Sequence, residues 1–151
     1  MNRHHKRASF GTLSPKGGKT PVLGPPDDGF YNRMRACWRL QRLQMIGPYG
    51  WHQLNAEQLA YIREKLIEFE AKDWNQIFVA ERDHNHRVDV AAFDCPAARE
   101  WMRRNMPDQD VLWTLRLMGK QRIWGIFRDG VFHLMFWDPE HQIKLSLKKH
   151  T

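Results

Sequence analysis

Arginine and histidine decide what chemistry this chain can attempt. Arg122 carries a planar guanidinium fork that fits two oxygens of one phosphate, and His133 can give or take a proton near neutral pH, its ordinary pKa being about 6.5. Arg116 and Lys120 bring further positive charge to the same part of the chain, and His141 follows directly on an Asp138–Pro139 turn. Trp124 and Trp137 offer flat faces on which unpaired bases can stack, an interaction worth about 1–3 kcal/mol per base. Each residue also has a plainer reading. A strand arginine is often solvated or salt-bridged, a lone strand histidine is often half-buried packing, and a tryptophan on a sheet often lids apolar neighbours.

The elements that must position these groups lie in residues 112–143, which read as three successive antiparallel strands. Asp129–Gly130 sits between two runs of β-branched and aromatic residues, a strong hairpin signal because both loop positions of a type I′ turn need positive φ. Counting outward pairs Arg128 with Val131, Phe127 with Phe132, Ile126 with His133, Gly125 with Leu134, Trp124 with Met135, Ile123 with Phe136 and Arg122 with Trp137. Alternation then puts Ile123, Phe127, Phe132, Leu134 and Phe136 on a core face. Arg122, Trp124, Ile126, Arg128, Val131, His133, Met135 and Trp137 fall on the other, predicted to be the open, working face. The strand Leu112–Leu117 adds Arg116 to that face, and Gly119 supplies the flexible position of the following turn, with Lys120 at the rim.

The chain of 151 residues has a formal net charge of +7. It is long enough for one domain that buries about two thirds of its extended surface. Residues 1–50 hold nine Lys or Arg against Asp27 and Asp28, so the excess charge sits in the first third. A polyanionic partner is the simplest physical reading of that imbalance, solubility the bland one. No apolar run approaches the 18 or so residues that span a bilayer, and the first residues lack the apolar core of a secretory signal, so a cytoplasmic protein without a membrane partner is expected. Cys37 and Cys95 stand in different contexts and are expected to be reduced thiols.

Residues 1–29 combine Gly, Pro and Lys without period and read as a flexible basic arm; Ser14–Thr20 lacks the spacing of a phosphate-binding loop. Residues 30–50 read as a basic amphipathic helix, Phe30–Met45, followed by a linker at Gly47–Pro48. Residues 51–151 form the main domain. In it Asn55 caps a helix with Leu59, Ile62, Leu66 and Phe69 on one buried stripe. Asp73 caps a short helix through Trp74, Ile77 and Phe78. His84 and His86 open a short extended piece at Val88 and Val90, and Asp94 caps a last helix with Pro96 in its first turn. The predicted fold class is α+β, helices packed on one face of a small antiparallel sheet.

The order of elements, with Phe69–Glu70, Trp74, His86, Leu115–Arg116–Leu117, Gly119–Lys120, Arg122, Trp124–Gly125–Ile126, Asp129–Gly130, Phe132, Trp137–Asp138–Pro139 and His141, resembles a group of bacterial proteins related to RelE/YoeB-type toxins. The likeness covers residues 51–143. It departs from the group's pattern at Phe136, where a second Trp is usual, and at Phe127, inserted before Arg128. The link from that group to the toxins themselves rests on topology and on a basic sheet face.

The resemblance implies a RelE/ParE-like fold and an mRNA endonuclease, free or ribosome-associated, that needs no metal: a ribose 2′-hydroxyl attacks its neighbouring phosphate. Such a reaction needs a base, cations for the phosphorane and an acid for the leaving oxygen. The residues assigned to it are Arg122, His133, His141 and Lys120, with Arg116, Trp124, Trp137, Arg128 and His86 holding RNA. No cofactor or metal is expected, since His84, His86, His133 and Cys95 match no closed zinc spacing. RNA is the expected partner, with an antitoxin protein as a second. Two rival functions stay open: a non-catalytic RNA- or ribosome-binding module, and a protein-binding toxin of the ParE type.

Overall fold

The computed structural model describes residues 28–145; the basic arm expected over residues 1–29 lies outside them except for its last two positions. A short helix α1 (Asp28–Asn32) precedes strand β1 (Trp38–Arg39), and helix α2 (Ala56–Glu70) follows. Strand β2 (His86–Asp89), helix α3 (Pro96–Asn105), and strands β3 (Val111–Arg116), β4 (Arg122–Arg128) and β5 (Val131–Asp138) complete the domain. The five strands form one mixed sheet in the order β1-β5-β4-β3-β2, with β1 parallel to β5 and the other pairs antiparallel.

The β4–β5 hairpin turns at Asp129 and Gly130, both with positive φ (52° and 77°), as the Asp-Gly pair requires. Pairing follows the predicted register from Arg128–Val131 back to Gly125–Leu134, then shifts by one. Met135 is the extra residue of a β-bulge, so Trp124 faces Phe136, Ile123 faces Trp137 and Arg122 faces Asp138. Gly125 makes the bulge possible, because a Cβ there would collide with the His133 carbonyl and the Phe132 ring.

The bulge swaps the faces of Phe136 and Trp137, and α3 closes over the face that was expected to be open. Leu115, Ile123, Phe132, Leu134 and Trp137 share a core with Ile62 and Phe69 of α2 and with Trp51, Trp74 and Ile77. Leu112, Trp124, Ile126, Met135 and Phe136 share a second core with Ala98 and Met102 of α3 and with Val88, Phe93 and Ile143. Helices therefore cover both faces of the sheet. The large apolar residues expected to float on a working face are instead the floor under α3, as their burial energy of about 1.5–3 kcal/mol per side chain favours.

The local signals held unevenly. Asn55 caps α2 in a full capping box with Gln58, and Ile62 and Phe69 are buried, whereas Leu59 is exposed. Asp73 Oδ1 accepts from Gln76 N at 2.8 Å, opening a helical turn over Gln76–Ala80 that takes the wider π form. Pro96 begins α3, but its N-cap is Cys95; the Asp94 carboxylate instead accepts from Leu145 N at 2.6 Å and pairs with Lys144 at 3.2 Å. The helix predicted over Phe30–Met45 forms only the turns of α1. Trp38 then extends into the sheet and packs edge-on against Phe69, Trp74 and Phe132. Tertiary burial of one large ring there outweighs a helix propensity worth only tenths of a kcal/mol per residue.

Candidate functional site

One end of the sheet, at the β3–β4 turn, gathers charge. Arg116, Arg122 and Asp138 are successive partners across β3, β4 and β5. Two residues along the strands lies the row His86, Thr114, Trp124, Phe136. All seven positions fall on the α3 side by alternation.

Asp138 organises this end from beneath. Its fully buried carboxylate accepts from Trp124 Nε1 at 3.2 Å, Gln142 N at 2.9 Å and Ile143 N at 3.0 Å. A buried carboxylate needs such donors, and those two backbone bonds fix the turn that carries His141. That residue adopts a left-handed φ of 55°, uncommon outside glycine. The strand-end Asp138–Pro139 sequence thus delivers a histidine beside the arginine row.

On the other side, Asn85 pins the loop that holds two more histidines. It is buried, donates through Nδ2 to the Ile77 carbonyl at 3.2 Å and accepts through Oδ1 from Arg116 N at 2.9 Å. Its neighbour His84 places Nδ1 2.9 Å from Arg116 Nη1, so the ring accepts and the guanidinium donates. His86 sets Nδ1 3.1 Å from the Arg82 carbonyl, an acceptor only, which makes Nδ1 the donor and leaves Nε2 as the free ring nitrogen.

Electrostatics mark the cluster as one unit. Burial pushes the proton affinity of His141 down; the positive charges of Arg122, His86 and Arg116 push it further, and Asp138 opposes them. Arg122 is likewise pushed down by burial and by Arg116, with Asp138 again opposing. Its Nη1 donates to the carbonyls of Gly119 at 2.7 Å and Gln121 at 3.0 Å. One arm of the fork is therefore spent on closing the turn. Lys120, in that turn, is exposed. A cleft of ≈ 440 Å³ opens alongside, lined by His84 and Arg116 and by two ion pairs, Lys65–Glu68 and Lys72–Glu81.

The sequence-predicted site residues thus divide. Arg116, Arg122, His86 and His141 come together, with Lys120 at the rim. His133 does not join them: it shares their face but lies opposite Ile126, four residues along β4 from Arg122, about 14 Å away. Its neighbours in charge are Arg39, Arg42 and Arg128, which with burial, the largest effect, lower its proton affinity. Trp124 is fully buried with its indole N–H committed to Asp138, and Trp137 is buried on the opposite, α2 side against Trp51. Neither can stack a base. Arg128 sits at the far end of β4, 3.4 Å from Gln109 Oε1.

Two contributors were missed. His84 entered the sequence reading only as a weak metal ligand, yet its distance of two from His86 across the buried Asn85 was a usable signal. Asp138 was read as a turn residue. Among the described residues no group of three or more His, Cys, Asp or Glu could hold a metal ion, and no helix is long and apolar enough to cross a membrane. No protein-family model, curated protein or solved structure matches the chain.

Proposed function

We propose that this protein is a metal-independent endoribonuclease with the chemistry of RelE-type toxins, acting at the cluster of Arg116, Arg122, His86 and His141. The observation that carries the reading is the convergence on His141 of two guanidiniums, Arg122 and Arg116, and a second imidazole, His86, from three neighbouring strands, with the buried Asp138 carboxylate opposing them. A depressed proton affinity keeps His141 neutral at pH 7, the form that takes a proton from a ribose 2′-hydroxyl. Arg122 and Arg116 supply positive charge where the phosphorane forms, and a cation that is held in advance stabilises it without reorganising. His86, with Nδ1 fixed by Arg82, presents Nε2 as the donor toward the leaving 5′-oxygen when doubly protonated. Lys120, exposed in the β3–β4 turn, adds a further cation at the rim.

The partner in this reading is single-stranded RNA, free or on the ribosome. A second reading, a non-catalytic RNA-binding module, is favoured by one observation. Arg122 already spends one nitrogen on the Gly119 and Gln121 carbonyls, a structural use that leaves Nε and Nη2 for a ligand.

The deciding experiment incubates purified protein with end-labelled RNA in EDTA, with and without ribosomes, and identifies the new ends. The expected result is cleavage leaving 2′,3′-cyclic phosphate, abolished in His141→Gln and Arg122→Ala. Wild-type protein that binds RNA but leaves it intact in both settings moves the assignment to the binding module.

A further inference from the structure

A second concentration of positive charge stands at the other end of the same strand. Arg39 in β1 is the register partner of His133 in β5, and His133 is the partner of Ile126 in β4, two residues before Arg128. Arg42, just past β1, reaches Nη1 to within 3.9 Å of Met106 Sδ at the end of α3. All three arginines are exposed, and among the described residues none forms an ion pair with a carboxylate. Their fields all bear on His133 and, after burial, hold its proton affinity down. Crowding like charges onto a half-buried histidine costs stability.

We infer that Arg39, Arg42 and Arg128 form a phosphate-binding patch for single-stranded RNA running on from the candidate site at the opposite end of β4. This rests on the proposed ribonuclease reading for its direction, though binding by the patch does not require cleavage. Arg122 and Arg128 lie on one face of β4 six residues apart, about 20 Å. Between them Ala98 and Met102 of α3 cover Trp124 and Ile126. A rigid acidic protein surface seated on one patch is held off the other by that helix, whereas a flexible strand with a charge on every unit bends round it. Arginine forks also match phosphate oxygens two at a time.

The test uses the full chain and a short, fluorescently labelled single-stranded RNA with 2′-O-methyl groups throughout, which binds but cannot be cut. In the triple variant Arg39→Ala/Arg42→Ala/Arg128→Ala, affinity should fall about 10-fold or more. The slope of log affinity against log salt should lessen by about 2, since each phosphate neutralised on a single strand contributes about 0.7. The Lys triple at the same positions should recover the slope. On unmodified RNA the Ala triple should lose kcat/KM and keep kcat. Unchanged affinity and slope in the Ala triple overturn the inference, as does wild-type protein that binds polyglutamate but not the RNA. Wild-type protein that binds the methylated RNA through the patch yet never cuts the unmodified strand sinks the ribonuclease reading and leaves the patch standing.

Discussion

Trp124 Nε1 donates to Asp138 Oδ2 at 3.2 Å beneath α3, tying the middle of β4 to the end of β5. The contact holds the bulged hairpin and the turn that carries His141 to one another. In Trp124→Phe the buried carboxylate keeps two of its three donors, and the expected cost is about 1–3 kcal/mol. Urea unfolding measures it; unchanged stability would show that the carboxylate recruits another donor. Well below the unfolding midpoint the variant should keep its RNA affinity, because the indole touches no ligand.

Neighbouring positions on β4 should separate function from stability. Ile123 is fully buried on the α2 side, so Ile123→Ala is expected to cost about 2–5 kcal/mol as a core truncation. Arg122→Ala should cost only about 1–2 kcal/mol, from the lost bonds to Gly119 and Gln121, while slowing cleavage by about 10²- to 10³-fold. Parallel urea titrations and single-turnover cleavage make the comparison. Equal kinetic losses in the folded forms of both variants would remove Arg122 from the site.

The bulge should resist the smallest possible change. Gly125→Ala puts a methyl against the His133 carbonyl and the Phe132 ring, so either the hairpin slips or the strands part. A loss of more than about 2 kcal/mol is expected, beyond the 0.5–1 kcal/mol that backbone entropy alone would return. A stabilised variant, read by thermal unfolding, would show that the strands reach another register at no cost.

His141 sets a pH window for stability. Its folded proton affinity lies below the ordinary value, so above about pH 6.5 it is neutral in both states and costs nothing. As pH falls through the lower folded pKa, the unfolded chain binds the proton first, and stability is lost. His141→Gln should therefore lose less stability than wild type between about pH 7 and pH 5. The same direction holds for His133→Gln. A wild-type curve parallel to both variants would mean that neither histidine is depressed in the folded state.

The hairpin was legible because its signal is local. Asp129–Gly130 dictates its own dihedral angles, and the pairing it sets survives for four residue pairs. Past Gly125 the register depended on whether the sheet would accept an extra residue at Met135, which is decided by packing across both faces. The same holds for Trp124 and Trp137. Alternation put both on one face, and a single bulge sent them to opposite cores. Arg116, Arg122, His86 and His141 were legible as residue types near strand ends. Their meeting was not, because it depends on Asn85 and Asp138, two buried polar residues whose partners are distant in sequence or set by the turn. Trp38 gave no strand signal, since its extended conformation comes from the aromatic pocket that receives it.

The parallel pairing of β1 with β5 has a consequence for how the chain can be cut. With residues 28–50 in place, the eight-residue β5, apolar along most of its length, is an interior strand with partners on both sides. A chain begun at residue 51 would keep every residue of the cluster and turn β5 into an open, sticky margin. Such a margin recruits other strands, including those of identical molecules. The truncated chain is expected to self-associate and precipitate, because residues 28–50 supply the strand that covers this margin.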